Sequence, residues 1–313
     1  VALGMFEQNV LLKNYSNYKI GGPAEFFYRP KKIESVVEAV KKARGEKTAI
    51  FILGGGTNVL FGDEIFNGLV LKPEINFIKK EGDFVKVGAG TPMADLVDYF
   101  LEKGFGGLEW AAGLPGTVGG AVRGNAGAFG GEMKDIVSEV SSLGISAKNP
   151  KLEIRNSKAC GFEYRSSIFK RNSGDDIILE IILPAKKSDK KLIRDIAAKN
   201  IKYRIEKQPL DYPSIGSTFK NVPLENFKKM DDGVKKVIKN DPFPIVPAAY
   251  LISEAGLKGV SFGGAMVSPK HPNFIINALD AASNDVKSLI SLVKNEVYHK
   301  FKVELEEEIE YLV

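Results

Sequence analysis

Apolar residues recur along this chain in two periods, and the way those periods alternate predicts an α+β protein. Residues 32–44 place Ile33, Val36, Val37 and Val40 at helical spacing, the signature of an amphipathic helix packed on a sheet. Residues 48–53, TAIFIL, form a continuous apolar run of strand length that ends in Gly54, Gly55 and Gly56. Further strands are predicted at 68–71, 84–88, 136–145 and 176–183. Residues 91–103 read as a helix, with Thr91 as N-cap, Pro92 in its first turn and Gly104 as its stop. Around the Gly21-Gly22-Pro23 turn, residues 14–27 carry apolar segments on both sides, so a strand is expected before it and after it.

A polar, basic stretch at 184–191, PAKKSDKK, marks the expected start of a second unit. There, residues 190–206 place Leu192, Ile193, Ile196 and Ala197 on one side of a helix. Helices are also predicted at 247–255 and 284–300, the second carrying Val286, Leu289, Ile290, Val293 and Val297 in register after a Ser283 cap. The tail, residues 303–313, alternates with period two. Val303, Leu305, Ile309, Tyr311 and Val313 face one way and Glu304, Glu306, Glu308 and Glu310 the other, which predicts a strand with one acidic face.

At 313 residues the chain has room for two or three domains. Its 44 basic and 39 acidic side chains give a net charge of +5, with the signs interspersed, a distribution that suits a small anionic ligand better than nucleic acid. One cysteine, Cys160, excludes an internal disulfide and a multi-cysteine metal cage, and only His271 and His299 are available as histidines. No metal site is expected. No apolar run has the length to cross a bilayer, and the first ten residues lack the basic end and apolar centre of a signal peptide. The expectation is a cytoplasmic protein. Met5 is a candidate natural start, in which case residues 1–4 lie outside the native chain.

The densest chemical signal is glycine. Residues 113–131, GLPGTVGGAVRGNAGAFGG, contain eight glycines among nineteen residues. Either a run of tight turns or a backbone that lies close against a ligand accounts for this density. After the strand at 48–53, the amides of the triple glycine can form an anion-binding nest, with Thr57 and Asn58 adding short polar side chains. Gly88-Ala89-Gly90 also follows a strand and precedes a helix, but Met93 stands where a dinucleotide fingerprint has its third glycine, and no Walker lysine motif is present. Arg165, within CGFEYRSSIF at 160–169, has the fork geometry to meet a carboxylate or phosphate, though a lone arginine is more often a surface ion pair.

Eight segments, in order, resemble the UDP-N-acetylenolpyruvoylglucosamine reductase family: NYKIGGPA at 17–24, LGGGTNVLF at 53–61, GLEWAAGLPGTVGGAVRGNAGAFG to 130, YRSSIF at 164–169, RIEKQP at 204–209, PSIGSTFKN at 213–221, HPNFIIN at 271–277 and LEEEI at 305–309. The resemblance implies an α+β fold with a two-subdomain FAD-binding domain of the p-cresol-methylhydroxylase/vanillyl-alcohol-oxidase type at 1–188, split near 72. It further implies a smaller substrate-binding domain at 189–302 and a C-terminal strand at 303–313 returning to the active site. Only 52 positions separate Arg165 from Ser217, which fits the family's short form.

On this resemblance FAD is held by Gly54, Gly55, Gly56, Thr57, Asn58, Gly113, Pro115, Gly116, Thr117, Gly119, Gly120, Asn125 and Gly127. NADPH serves as hydride-donating cosubstrate, and the enolpyruvyl ether of a UDP-sugar is reduced. Ser217 matches the family's proton donor, and Arg165 and Glu308 match the groups that stabilise the developing enolate. For Glu308 this requires a retained proton and a raised pKa. Arg204, Lys207, Lys220 and Asn221 match substrate anchors. A monomer acting on small molecules, without membrane or nucleic-acid partners, is expected. Two departures stand out. Val222 precedes Pro223 where the family usually has proline directly after the asparagine, and Glu307 replaces a common proline, which leaves the register of the catalytic glutamate open within 306–308. Another flavin oxidoreductase of the same fold, or a non-catalytic nucleotide-sugar binder, remains an alternative. Turnover of a hydroxy acid would mark the first, and a preparation whose flavin NADPH does not bleach would mark the second.

Overall fold

A computed structural model describes residues 4–145, 150–172, 174–241 and 243–313. The chain forms two compact units that are discontinuous in sequence. The first takes Val1–Val10, Ala24–Gly55 and Asn67–Lys202; the second takes Leu11–Pro23, Gly56–Phe66 and Tyr203–Val313. Where the sequence places one boundary at 188/189, the chain changes unit five times, and most of the helix Lys190–Lys207 belongs with the first.

In the first unit, a four-stranded sheet has the order Glu7–Leu11, Pro23–Tyr28, Phe66–Leu71, Ile50–Ile52, the last two parallel. The helix Ile33–Gly45 buries Val36, Ala39, Val40 and Ala43 in a core shared with Phe6, Leu69 and Leu71; of its predicted stripe, Val36 and Val40 are buried, and Ile33 and Val37 pack partly buried against the same core. A five-stranded antiparallel sheet runs Lys151–Asn156, Glu139–Gly144, Asp176–Pro184, Phe84–Gly88, Ile78–Glu81. The helix Met93–Lys103 buries Met93, Leu96, Val97 and Phe100 and stops at Gly104, whose φ of 70° closes it in the left-handed conformation. Its N-cap is Pro92, not Thr91, because the Thr91 hydroxyl is taken by the backbone of Phe77, 3.2 Å away. Gly88 and Gly90 are explained by packing. A Cβ on Gly88 would lie 2.2 Å from the Ile75 carbonyl oxygen, and one on Gly90 would lie 2.7 Å from the Ile75 nitrogen, so this dinucleotide-like turn is pressed against its own chain.

The helix Lys190–Lys207 buries a different stripe from the one expected. Ile193, Ala197 and Asn200 are inside, with the Asn200 amide donating to the Glu109 carbonyl at 3.0 Å, while Leu192 and Ile196 are 55% and 40% exposed. A polar residue on the buried side hid the true face from a reading based on apolar spacing.

In the second unit, the helix Ser283–Phe301 packs Val286, Leu289, Ile290, Val293 and Val297 into a core with Tyr18, Leu60, Phe219 and Leu251. Ser283 is the first helical residue, not the cap. The end is instead closed by Asp285, which accepts from Ala282 N–H at 3.0 Å, and by Asp63, which accepts from Ser283 N–H at 2.8 Å. The antiparallel strands Ser261–Phe262, Ala265–Val267 and Ile275–Asn277 form a small sheet beside it. The strand expected directly before the Gly21-Gly22-Pro23 turn is not formed. The chain there is a 3-10 turn, Leu12–Tyr15, followed by an irregular segment pinned by the Tyr18 hydroxyl donating to the Ile275 carbonyl at 2.7 Å. Gly22 is fixed by proximity, since a Cβ on it would lie 2.2 Å from the Asp63 carbonyl.

The tail forms a ladder only at Glu310–Leu312, parallel to Val59–Phe61. Val303, Leu305 and Ile309 are buried as the alternation predicts, but the phase then slips by one, so that Leu312 is buried and Tyr311 and Val313 are exposed. The cause is a change of partner, from an isolated bridge between Glu307 and Phe219 to the ladder with Val59–Phe61.

Candidate active site

In the first unit the two glycine clusters meet. The Leu53 N–H makes the last sheet bond before the glycine turn, to the Leu71 carbonyl at 2.9 Å. A Cβ on Gly55 would lie 2.6 Å from Gly116 Cα, and one on Gly54 would lie 3.0 Å from Thr117 Oγ1. Only glycine lets these two backbone turns approach so closely. Thr117 caps the short helix Val118–Arg123 by accepting from Gly120 N–H at 3.3 Å, and Gly116, at φ 102°, turns the chain into it. Between the Leu53 bond and the bond from Val118 N–H to the Thr91 carbonyl, the N–H groups of Gly54, Gly55, Gly116 and Thr117 donate to no backbone carbonyl among the described residues. Such amides suit the phosphates of a dinucleotide, so the donor set fits FAD. Gly113, Pro115 and Gly120 lie beside them in the same run, all three exposed. Gly119 has another task, because a Cβ on it would lie 2.8 Å from that of Ala89.

Asn125 sits at φ 42° with no exposed surface. Its amide nitrogen donates to Glu132 Oε2 at 3.2 Å and to the Glu163 carbonyl at 2.9 Å, and its oxygen accepts from Lys134 N–H at 2.9 Å. The side chain is therefore a clamp on the protein. It holds the Glu163 turn, where Glu163 and Ser166 exchange backbone bonds at 3.0 and 3.1 Å around Tyr164 and Arg165. Arg165 occupies the left-handed region at φ 54°, its guanidinium 5.2 Å from the Tyr164 ring centroid, a backbone state costing about 1 kcal/mol or more that surrounding contacts must hold. Ser167 provides one, donating to the Arg123 carbonyl at 2.6 Å. Gly127 provides room, since a Cβ there would lie 3.1 Å from Arg165 Nη1. Cys160 is buried, and burial pushes its thiol up to about 11 despite the nearby Arg155, so no thiolate forms near neutral pH.

In the second unit, Ser217 lies between Gly216, at φ 83°, and a segment joined to the tail. Glu308 N–H donates to the Thr218 carbonyl at 2.8 Å, and Lys220 N–H donates to the Glu306 carbonyl at 2.9 Å. This pairing uses no N–H of Glu307, which is why a position that tolerates proline can carry glutamate here. The Glu306 carboxylate binds Lys220 Nζ, and the Glu307 carboxylate binds Lys294 Nζ at 2.8 Å and the Tyr311 hydroxyl. The Glu308 backbone carbonyl accepts from Asn58 Nδ2 at 3.0 Å. Asn58 is a brace for this segment, and Gly56 is required beneath it, since a Cβ would lie 1.9 Å from the Tyr15 carbonyl. Thr57 is half-buried in the same turn.

Among the substrate anchors named from sequence, Lys220 is paired with Glu306, and Asn221 accepts from Ala248 N–H at 3.2 Å, capping the helix Ala248–Glu254. Arg204 is buried, which lowers its pKa, and Lys207 is exposed. Sequence reasoning missed Asn273, which lies against residues 218–219. The HPNFIIN segment was the available signal, but it carried no role. Among the described residues no group of three or more His, Cys, Asp or Glu is placed to hold a metal, and no helix is long and apolar enough to cross a membrane.

The Glu307 carboxyl has a pH consequence. Burial pushes its pKa up, but the hydrogen bonds from Lys294 and Tyr311 outweigh it and leave the pKa below the ordinary carboxylate range. A depressed folded-state pKa contributes stability above the unfolded value and loses it as pH falls through the folded one. The contribution is small, about 1 kcal/mol or less, because both partners are partly exposed. Lys294→Met is expected to lower the Tm at pH 7, with the gap from the unmodified chain closing below about pH 4. A gap that persists unchanged at pH 3 would contradict the pairing.

Two domain models match this chain. An FAD binding domain matches residues 24–144, and the C-terminal domain of UDP-N-acetylenolpyruvoylglucosamine reductase matches residues 208–312. Together with the glycine cradle, these define a flavoprotein oxidoreductase with an α+β fold and a distinct C-terminal domain. The UDP-N-acetylenolpyruvoylglucosamine reductase of Clostridium botulinum (strain Okra / Type B1) is 36% identical over 299 residues, covering 95% of this chain and 89% of that protein. That of Clostridium novyi (strain NT) is 36% identical over 304 residues, covering 97% and 91%. The crystal structure of the Thermus caldophilus enzyme of the same name superposes with a TM-score of 0.78 at 31% identity, covering 98% and 99% of the two chains. The chain belongs to the UDP-N-acetylenolpyruvoylglucosamine reductase family.

Proposed function

We propose that this chain reduces the enolpyruvyl ether of UDP-N-acetylglucosamine enolpyruvate to UDP-N-acetylmuramate, using FAD and NADPH, as a step in peptidoglycan precursor synthesis. When bound, FAD supplies the hydride chemistry, accepting from NADPH and delivering to the terminal methylene carbon. The chain's own groups handle the charge and the proton. Negative charge develops at the carbon beside the carboxylate, and Arg165 offers it a permanent positive fork. Glu308, holding a proton, donates a hydrogen bond to the same developing enolate. Ser217 delivers a proton to the carbon, a task within reach of a weak acid when an enolate is the base and the geometry is fixed. The observation that carries the reading is the bond from Glu308 N–H to the Thr218 carbonyl, which ties the two catalytic segments of the second unit into one register.

In this reading the first unit binds FAD, and the second binds the nucleotide sugar with help from Arg204, Lys207, Lys220 and Asn221 and carries Glu308 in its tail. The protein acts in the cytoplasm as a monomer on small anionic molecules, with neither nucleic acid nor membrane as partner; its interspersed charges support a small anionic ligand over nucleic acid. A steady-state assay with NADPH and the enolpyruvyl nucleotide sugar tests the activity. Turnover is expected. No turnover, with oxidation of a sugar or hydroxy acid instead, would assign the chain to another flavin oxidoreductase chemistry.

A further inference from the structure

We propose that Asn273 is a positioning residue for proton delivery, a side-chain splint that holds Ser217 in register with Glu308. This rests on the assignment of Ser217 and Glu308 given above. Asn273 is only 4% exposed. Its Oδ1 accepts from Phe219 N–H at 3.0 Å, and its Nδ2 donates to the Phe219 carbonyl at 2.8 Å. Its own carbonyl accepts from Thr218 N–H at 2.7 Å. A primary amide carries a donor and an acceptor side by side, so Asn273 meets both backbone groups of Phe219 as a neighbouring strand would.

On the opposite side of the same segment lies the tail. Phe219 bridges Glu307, the Thr218 carbonyl accepts from Glu308 N–H, and Lys220 N–H reaches the Glu306 carbonyl. Residues 218–220 are therefore a middle rail with Asn273 on one side and 306–308 on the other. Phe219 anchors the rail in the core at 1% exposure. Ser217 is the first residue beyond it. The other neighbour of Ser217, Gly216, is at φ 83° with open space where a Cβ would be, so between Ser217 and the buried Ile215 the chain has a glycine pivot. The Asn273 carbonyl on Thr218 N–H is the fixed point next to the serine, and the two side-chain bonds to Phe219 hold that carbonyl in place. Losing the side-chain bonds loosens the rail and leaves the reacting hydroxyl beside a glycine hinge, and displacements of about 1 Å in such a group cost on the order of 10²-fold in rate.

Two variants test this in the FAD-bound enzyme. Asn273→Asp keeps the acceptor toward Phe219 N–H but sets a carboxylate oxygen against the Phe219 carbonyl; Asn273→Ser removes the splint and keeps a polar group. Anaerobic stopped-flow is expected to show flavin reduction by NADPH within about twofold of the unmodified enzyme, and substrate reduction slowed by about 10- to 100-fold. The solvent deuterium isotope effect on that second step should rise, while calorimetric affinity of the oxidised enzyme for the nucleotide sugar stays within about threefold. In a Ser217→Ala background, Asn273→Asp should add less than about twofold, because residues acting through one group are not additive. Additive effects, or equal losses in both half-reactions, would overturn the proposal. So would failure of both variants to fold, which would assign Asn273 to the core alone. If Ser217→Ala itself reduces substrate at the normal rate, the assignment of Ser217 is overturned; if it is slow while the Asn273 variants are not, the splint alone is.

Discussion

Replacing Ser217 with alanine is expected to slow reduction of the enolpyruvyl substrate by about 10²- to 10⁴-fold while NADPH still bleaches the flavin at a near-normal rate, the span typical of losing a positioned general acid. The substitution is clean because the serine's surroundings do not depend on its hydroxyl. Gly216 sets the turn through its own positive φ, and Thr218 is held by Asn273 and the tail through backbone bonds. Alanine accepts the same backbone, so the loss measures the proton alone. The two half-reactions, followed separately at the flavin absorption band, check this. Equal slowing of both would move Ser217 from proton delivery to general architecture.

Gly55→Val is expected to yield a protein that purifies without flavin. A single Cβ at this position already lies 2.6 Å from Gly116 Cα and 3.2 Å from its carbonyl carbon. Both are backbone atoms, so neither can rotate away, and valine adds two further methyl groups. The two glycine turns must separate, and the amides that suit the phosphates separate with them. FAD affinity should fall at least about 10²-fold, equivalent to about 2.7 kcal/mol. Gly45→Ala is the control. Gly45 ends the helix Ile33–Gly45, with nothing within 4 Å of the place a methyl group would take and an ordinary backbone, so that variant should stay yellow and gain a few tenths of a kcal/mol. A Gly55→Val protein that binds FAD normally would refute the cradle.

Helical apolar spacing was legible in part. Ser283–Phe301 buries all five residues its spacing picks out, whereas Ile33–Gly45 buries Val36 and Val40 of its stripe and adds Ala39 and Ala43. The helix Lys190–Lys207 was misread in its face because Asn200 takes a buried place through one long-range bond to Glu109. The slip of the tail after Ile309 was hidden for a related reason. Period-two alternation describes one strand, whereas this segment passes from Phe219 to Val59–Phe61 as partners.

At the candidate site, glycine density pointed to a close backbone approach or to tight turns, and only the family resemblance placed Gly54 and Gly55 with Gly116 and Thr117; the close approach of these backbones is visible only in the fold. The structure separates roles that the sequence had pooled. Asn125 and Asn58, both read as cofactor contacts, direct their amides to the protein, and Gly119 packs on Ala89. Asn273 could not be found from spacing at all, because its partners lie 54 positions away. Within 306–308, the carboxylates of Glu306 and Glu307 pair with Lys220 and Lys294, while Glu308 N–H donates to the Thr218 carbonyl.

The most direct test of the account is the flavin spectrum of the purified protein under anaerobic conditions. A yellow preparation should be bleached by one equivalent of NADPH and should recover its colour on addition of one equivalent of the enolpyruvyl nucleotide sugar, with UDP-N-acetylmuramate formed in the same amount. A colourless protein, or a flavin that NADPH does not bleach, would contradict the account, as would a bleached flavin that the nucleotide sugar fails to restore.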